Sequence, residues 1–208
     1  MNEAAGLRWA EDGSDAAVAD HIEGIVASAD EAIIAVPGGS TPKTVFAELA
    51  QRNIDWTHVT LMPGDDRMVP RDHPASNLSP LEAAFGQHGA HIRALEEGMS
   101  VPEFDLNWLG MGNDGHVASL FPQMEIFERP GPAVIRTIPD PLPPEAPHPR
   151  LSLNMEALTQ AACETILVLR GAEKRRVLDA ALEQGCDLPV ARFLRRARGP
   201  VTVYWSAQ

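Results

Sequence analysis

Cysteine is scarce in this 208-residue chain. The two present, Cys163 and Cys186, are too few for a disulfide framework and lack the CxxC spacing of a metal or redox site. Each reads as a small, partly buried side chain in a reducing compartment. Long apolar runs are missing as well. None approaches the roughly eighteen residues of a membrane-spanning helix, and Met1 to Ala10 carries acidic and polar residues where a signal peptide would place its apolar stretch. The expectation is a cytoplasmic protein. Positive charge is in deficit, with 17 Lys and Arg against 29 Asp and Glu and a formal net charge of −12. That balance speaks against nucleic acid or an anionic membrane as partner. An anionic small molecule would need a local basic pocket within an acidic exterior.

What is there is ordinary globular material. Hydrophobic residues make up 44% of the chain and charged residues 22%, enough for one substantial α/β domain. Ser14 is placed to cap a helix over 14–29, with Val18, Ile22, Ile25 and Val26 on one face. The run Ala32-Ile33-Ile34-Ala35-Val36 reads as a buried parallel strand that stops at Pro37-Gly38-Gly39. Thr41 and Pro42 then offer an N-cap and an N1 proline to a helix carrying Val45, Phe46, Leu49 and Ala50.

The alternation continues. It predicts a strand over 58–62, a helix over 78–86, a strand over 104–109 and extended segments over 133–138 and 151–154. A strand over 165–169, a helix over 172–184 and a strand over 201–205 complete the chain. Such alternation implies a single domain, 1–208, built on a doubly wound, mostly parallel sheet with helices on both faces. The proline-rich stretch Pro139 to Pro149 is a stiff, extended loop within that domain, because as a linker it would leave too little chain beyond it. A monomer or a weak homodimer is expected.

In open α/β sheets, ligands sit outside the carboxyl ends of the strands, which directs attention to three loops. Gly38, Gly39, Ser40 and Thr41 combine close backbone approach, two hydroxyls and the free N–H groups of a helix start, as a phosphate site requires. No Gly-Lys-Ser/Thr follows, so this is not a Walker loop, and an ordinary tight turn would use the same residues. Gly64-Asp65-Asp66-Arg67, with Ser76-Asn77 further on, gathers carboxylates and an arginine that could position substrate hydroxyls or form a solvated acidic turn. Gly110-x-Gly112-x-x-Gly115 formally matches the dinucleotide fingerprint, but Pro122 arrives before a full helix could form.

The chemical feature of that third loop is Asp114-Gly115-His116. A histidine on a glycine turn can act as a general base, with Asp114 or another carboxylate orienting its ring. His21, His58, His73, His88, His91 and His148 read as packed or solvated. His88 and His91 have a spacing that could bind metal, yet no supporting ligand set accompanies them. Arg150 and Lys174 would each singly be a surface charge; together they could complete a phosphate site.

From about residue 30 to 205 the chain resembles the glucosamine-6-phosphate isomerase/6-phosphogluconolactonase family, and within it the lactonases. The resemblance rests on Gly38-Gly39-Ser40-Thr41-Pro42, on Trp56 through Asp65-Asp66-Arg67 to Ser76-Asn77, and on Leu109 through His116 to Ala118-Ser119-Leu120-Phe121-Pro122. Pro149 to Leu153 and Gly171 to Lys174 match two later blocks. It implies hydrolysis of 6-phosphoglucono-δ-lactone in the oxidative pentose phosphate branch, without metal or cofactor. His116 would deprotonate water, and Asp65 and Asp114 would orient substrate or the histidine. Arg67 would lie beside the sugar, and Gly39, Ser40, Thr41, Arg150 and Lys174 would hold the phosphate. Gly38, Asn77 and Gly112 complete the candidate set of substrate-contacting positions.

Two departures stand out. The family usually reads Asp-Glu-Arg where this chain has Asp65-Asp66-Arg67, and it usually continues past the last strand with a helix, leaving open what covers that edge here. The alternatives are an isomerase or deaminase on the same fold and a non-catalytic sugar-phosphate sensor. The first typically carries Ala-Phe-Asn-Glu-Pro after the histidine turn, a carboxylate that Ala118-Ser119-Leu120-Phe121-Pro122 lacks. The second usually accompanies a DNA-binding helix for which no residues are spare.

Overall fold

The structure, a computed structural model, describes residues 6–124, 131–142 and 147–207. The helices are α1 (Asp15–Ser28), α2 (Thr41–Leu49), α3 (Leu78–Phe85), α4 (Met155–Gln160), α5 (Ala172–Ala181) and α6 (Pro189–Arg196). The strands are β1 (Leu7–Trp9), β2 (Ala32–Val36), β3 (Val59–Pro63), β4 (Asp65–Arg67), β5 (His91–Ile92), β6 (Phe104–Leu109), β7 (Val134–Thr137), β8 (Arg150–Leu153), β9 (Ala162–Arg170) and β10 (Val201–Ser206). Seven strands form one parallel sheet in the order β1-β10-β9-β6-β2-β3-β5.

Both faces of that sheet are covered, which is why its central strands are apolar at successive positions. Ile34, Val36, Leu106, Trp108, Ile166 and Val168 pack with residues of α1, α2 and α3, among them Val18, Ile22, Phe46 and Phe85. Ala35, Leu109, Leu167, Leu169 and Val203 turn to the other side, against α4, α5 and α6 through Leu158, Leu178, Val190 and Phe193. A fully buried Leu or Ile contributes about 1.5–3 kcal/mol by leaving water, so these two layers hold the sheet rigid beneath its loops. His21 on α1 adds a polar tie, bonding Tyr204 and Glu164 at 2.9 Å each.

The doubly wound expectation holds, and α1 begins as expected, with Ser14 accepting from the Ala17 N–H at 3.2 Å. Other expectations are corrected. The cap of α2 is Ser40 rather than Thr41, and its hydroxyl makes no capping bond. The segments expected to be extended near 133–138 and 151–154 are β7 and β8, but they belong to a separate antiparallel sheet, β4-β8-β7. Gly64 is the junction: its N–H bonds Val36 O in the parallel sheet at 2.8 Å, and its carbonyl accepts from Leu153 in the small one at 2.9 Å.

The edge beyond the last strand is covered by β1, which pairs with β10 through Leu7, Arg8 and Trp9. Three residues are too short to show a period of two, so the sequence pattern gives no hint of it. Cys163 is exposed rather than partly buried, because continuous burial along β9 begins only further on, at Thr165. Of the proline-rich loop 139–149, residues 143–146 lie outside those described.

Candidate active site

Chain order reverses at β2: β3 lies on one side, and β6, formed later, lies on the other. The loops leaving β2 and β6 therefore diverge, opening a crevice at the carboxyl ends of the strands. A cavity of about 270 Å³ fills it, lined by Gly38 to Thr41, Asp65, Arg67, Asn77, Gly112, His116, Arg150 and Lys174. Every candidate substrate-contacting position lines this one cavity, as do two of the three candidate catalytic residues. The exception is Asp114, which reaches the cavity through His116.

His116 is held from three sides. Its Nδ1 lies 2.6 Å from Asp114 Oδ1, which also accepts the His116 backbone N–H at 3.2 Å. Gly115 at φ +80° makes the turn that returns the chain over Asp114. Gly112 has no room for a side chain, since a Cβ there would lie 2.2 Å from His116 Cε1 and Nδ1. Across the ring, Phe121 stands with its centroid 4.5 Å away, tilted by 37°. A carboxylate can only accept, so Nδ1 carries the proton and Nε2 is left as the basic atom. Burial would raise the Asp114 pKa, but the His116 hydrogen bonds and charge outweigh it and hold the carboxyl below its ordinary value.

The small sheet supplies the second wall. Arg67 pairs directly with Arg150 across β4 and β8, so both side chains emerge on one face. Like charges opposite each other are destabilising, and a bound anion would relieve that cost. Arg67 Nη1 donates to Ala75 O and Asn77 Oδ1, each at 3.0 Å, while its buried Nε has no hydrogen-bond partner among the described residues. Arg150 is almost wholly buried, its Cζ 5.4 Å from the Phe121 ring centroid.

Strand alternation separates the two carboxylates between these arginines and the sheet junction. Asp65 shares the face of Arg67 and lines the cavity. Asp66 points away and pins the following loop, accepting from Asn77 N at 2.6 Å, Arg67 N at 2.8 Å and Ser76 Oγ at 3.2 Å. Burial pushes its pKa up despite those bonds, and neighbouring Asp65 adds to the rise. The shorter Asp at this position is thus a structural acceptor for a tight loop, away from the chemistry.

The remaining wall is the β2–α2 loop. A Cβ on Gly38 would strike the Asn77 amide at 2.2–2.3 Å, and Gly39 sits at φ +97°. Because Ser40 makes no capping bond, its hydroxyl and the helix start are available to an anion. Lys174, one of only two lysines in the chain, lines the same cavity from the start of α5. Burial, with a smaller contribution from Arg170, lowers its pKa, so a phosphate there would restore the charge that the site disfavours.

Phe121, Ser119 and the backbone at Ala118 were not among the sequence candidates. Ala118 adopts φ +49°, unusual for a residue with a side chain, and nothing in its local sequence signals this. It turns Ser119 inward, where Ser119 Oγ donates to Asp65 Oδ2 at 2.5 Å.

The family model for glucosamine-6-phosphate isomerases/6-phosphogluconolactonase matches residues 11–95 and 80–205. A 6-phosphogluconolactonase from Neisseria meningitidis is 32% identical over 192 residues, covering 80% of this chain and 81% of its own. One from Rhizobium meliloti is 32% identical over 203 residues, covering 87% of both. The crystal structure of a 6-phosphogluconolactonase from Shewanella baltica superposes with a TM-score of 0.82 at 29% identity, covering 97% of both chains.

Proposed function

Because this chain belongs to the glucosamine-6-phosphate isomerase/6-phosphogluconolactonase family, we propose that it hydrolyses 6-phosphoglucono-δ-lactone to 6-phosphogluconate, with His116 as general base. The observation that carries the reading is the pairing of an oriented histidine with three cations, Arg67, Arg150 and Lys174, around one cavity. A sugar phosphate needs the cations, and a lactone carbonyl needs the base.

The geometry supports the following steps. Water bound at His116 Nε2 gives up a proton to it as its oxygen attacks the lactone carbonyl. The carbonyl oxygen becomes an oxyanion, which backbone N–H groups of the glycine loops around the cavity can stabilise. The tetrahedral intermediate then collapses, the bond to the ring oxygen breaks, and the imidazolium returns its proton to that leaving oxygen. Asp114 steadies the imidazolium between the two transfers. The phosphate remains on Arg150, Lys174 and the Gly39–Thr41 helix start throughout, with Arg67 beside the sugar. This reaction belongs to the oxidative branch of the pentose phosphate pathway.

The test is enzymatic release of acid from the lactone above its spontaneous rate, measured for wild type and His116→Ala. Loss of a general base should lower kcat by about 10²–10⁴-fold while calorimetric binding of 6-phosphogluconate survives. Wild-type turnover no faster than the background, or unchanged kcat in the variant, would overturn the reading.

A further inference from the structure

Asp65 is a buried carboxylate in the cavity wall, and one of its oxygens is already spoken for. Ser119, fully buried, donates from Oγ to Asp65 Oδ2 at 2.5 Å. Ser119 is itself fixed, its N–H donating to Ser152 Oγ at 3.1 Å, and Ser152 Oγ–H donating onward to Leu153 O at 3.0 Å. The left-handed backbone at Ala118 aims Ser119 into this position, a conformation that costs free energy and so has to be held by its surroundings. Asp65 Oδ1, by contrast, takes no hydrogen bond among the described residues. The 7% of Asp65 that remains exposed opens on the cavity.

A carboxylate with one oxygen clamped and the other presented to a ligand space can only accept. The cations of the cavity answer to a phosphate, and His116 to a carbonyl. A ring hydroxyl is the remaining group of a sugar lactone that can donate to Oδ1. Resting on the lactonase reading above, we propose that Asp65 is the reader of one ring hydroxyl and that Ser119 is the positioning residue that holds it in register. Ser119 does not touch substrate. It removes the rotational freedom of Asp65, so that the hydroxyl meets an acceptor already in place.

The experiment compares wild type, Ser119→Ala, Asp65→Asn and the double variant on the parent lactone and on its 2-deoxy, 3-deoxy and 4-deoxy analogues. Ser119→Ala should lower kcat/KM for the parent by about tenfold, the lower end for a hydrogen bond to a charged group. For one analogue, the one lacking the hydroxyl that Asp65 reads, wild type and Ser119→Ala should be equal within about twofold. The gap should persist on the other two. The double variant should be no worse than Asp65→Asn, because the serine acts only through the aspartate. An equal gap on all three analogues would mark Ser119 as merely structural and overturn the proposal, as would no gap on the parent. If wild type fails to hydrolyse the parent at all, the lactonase reading falls and takes this one with it. If wild type hydrolyses the parent but no analogue closes the gap, only this one falls.

Discussion

Gly112→Ala isolates the placement of His116, the proposed base, from its chemistry. The added Cβ would start 2.2 Å from His116 Cε1 and Nδ1 and 2.6 Å from Asp114 Oδ1. The ring has to retreat to the 3.4 Å at which ordinary contact begins, a displacement of about 1 Å. Phe121, 4.5 Å away on its other side, restricts the direction it can take. Misplacing a reacting group by about 1 Å costs on the order of 10²-fold in rate, or about 2.7 kcal/mol of transition-state stabilisation. Stability should suffer less. Gly112 is not in the left-handed region, His116 is 30% exposed and can swing into the cavity, and the variant loses chiefly the 2.6 Å bond to Asp114. That bond, to a charged but half-exposed carboxylate, is worth about 1.5 kcal/mol. The expected result is a kcat on the lactone reduced about a hundredfold, with 6-phosphogluconate binding retained and a small drop in Tm. A kcat within threefold of wild type would refute the placement of His116 as the base, since no ring in its present position can coexist with that methyl group.

Two further outcomes follow from the charges. The lowered pKa of Lys174, caused first by burial and then by Arg170, means that it gives up its proton at a lower pH than an ordinary lysine, whose value is about 10.4. Calorimetric affinity for 6-phosphogluconate should therefore begin to fall below that pH. Lys174→Ala should bind more weakly and lack that component of the fall, and an identical pH profile in the two proteins would contradict the assignment. Asp66 has the opposite sign, a carboxyl raised by burial. Its contribution to stability is complete below the unfolded value of about 3.9 and is lost as pH rises through the raised folded value. Asp66→Asn, which keeps an acceptor for the Asn77 and Arg67 N–H groups, should cost under about 1 kcal/mol at neutral pH in chemical denaturation. Asp66→Ala, which leaves those donors unpaired, should cost about 2–3 kcal/mol. Equal losses in the two variants would show that Asp66 is not acting as an acceptor.

Legibility in the sequence tracked how local each cause is. The strand over 104–109 is recovered residue for residue as β6, because a buried parallel strand is a bounded apolar run that needs no knowledge of its neighbours. The strand β4 was invisible for the opposite reason. Asp65-Asp66-Arg67 has no apolar residue, and it is extended because Ser152, Leu151 and Arg150 pair with it from far along the chain. The same blindness leaves Asp65 and Asp66 one acidic cluster to residue pattern alone, and only the family resemblance singles out Asp65. Once the segment is a strand, alternation assigns one to the cavity and the other to the loop. Phe121 and Ser119 follow His116 closely in sequence, but their roles depend on the turn at Ala118, where alanine carries no signature of a left-handed backbone.

The two-sheet arrangement also gathers three cations around one cavity in a chain of net charge −12. The parallel sheet contributes His116, through a loop whose glycines admit a ring and a carboxylate, and Lys174 from the start of α5. The antiparallel sheet contributes Arg67 and Arg150, locked side by side by register rather than by loop conformation. Unit charges about 4 Å apart interact by about 1 kcal/mol in water but about 4 kcal/mol at the effective dielectric of a protein surface. The burial of Arg150, with Lys174 half-buried beside it in the cavity wall, would therefore give few cations a strong hold on an anion there. On the proposed reading, the small sheet's arginines and the histidine that activates water would sit on different elements, with Lys174 and the Ser40–Thr41 helix start joining the arginines from the parallel sheet. If the proposed reading holds, binding energy gained on the small sheet would fix the lactone carbonyl against His116, a use that raises turnover as well as affinity.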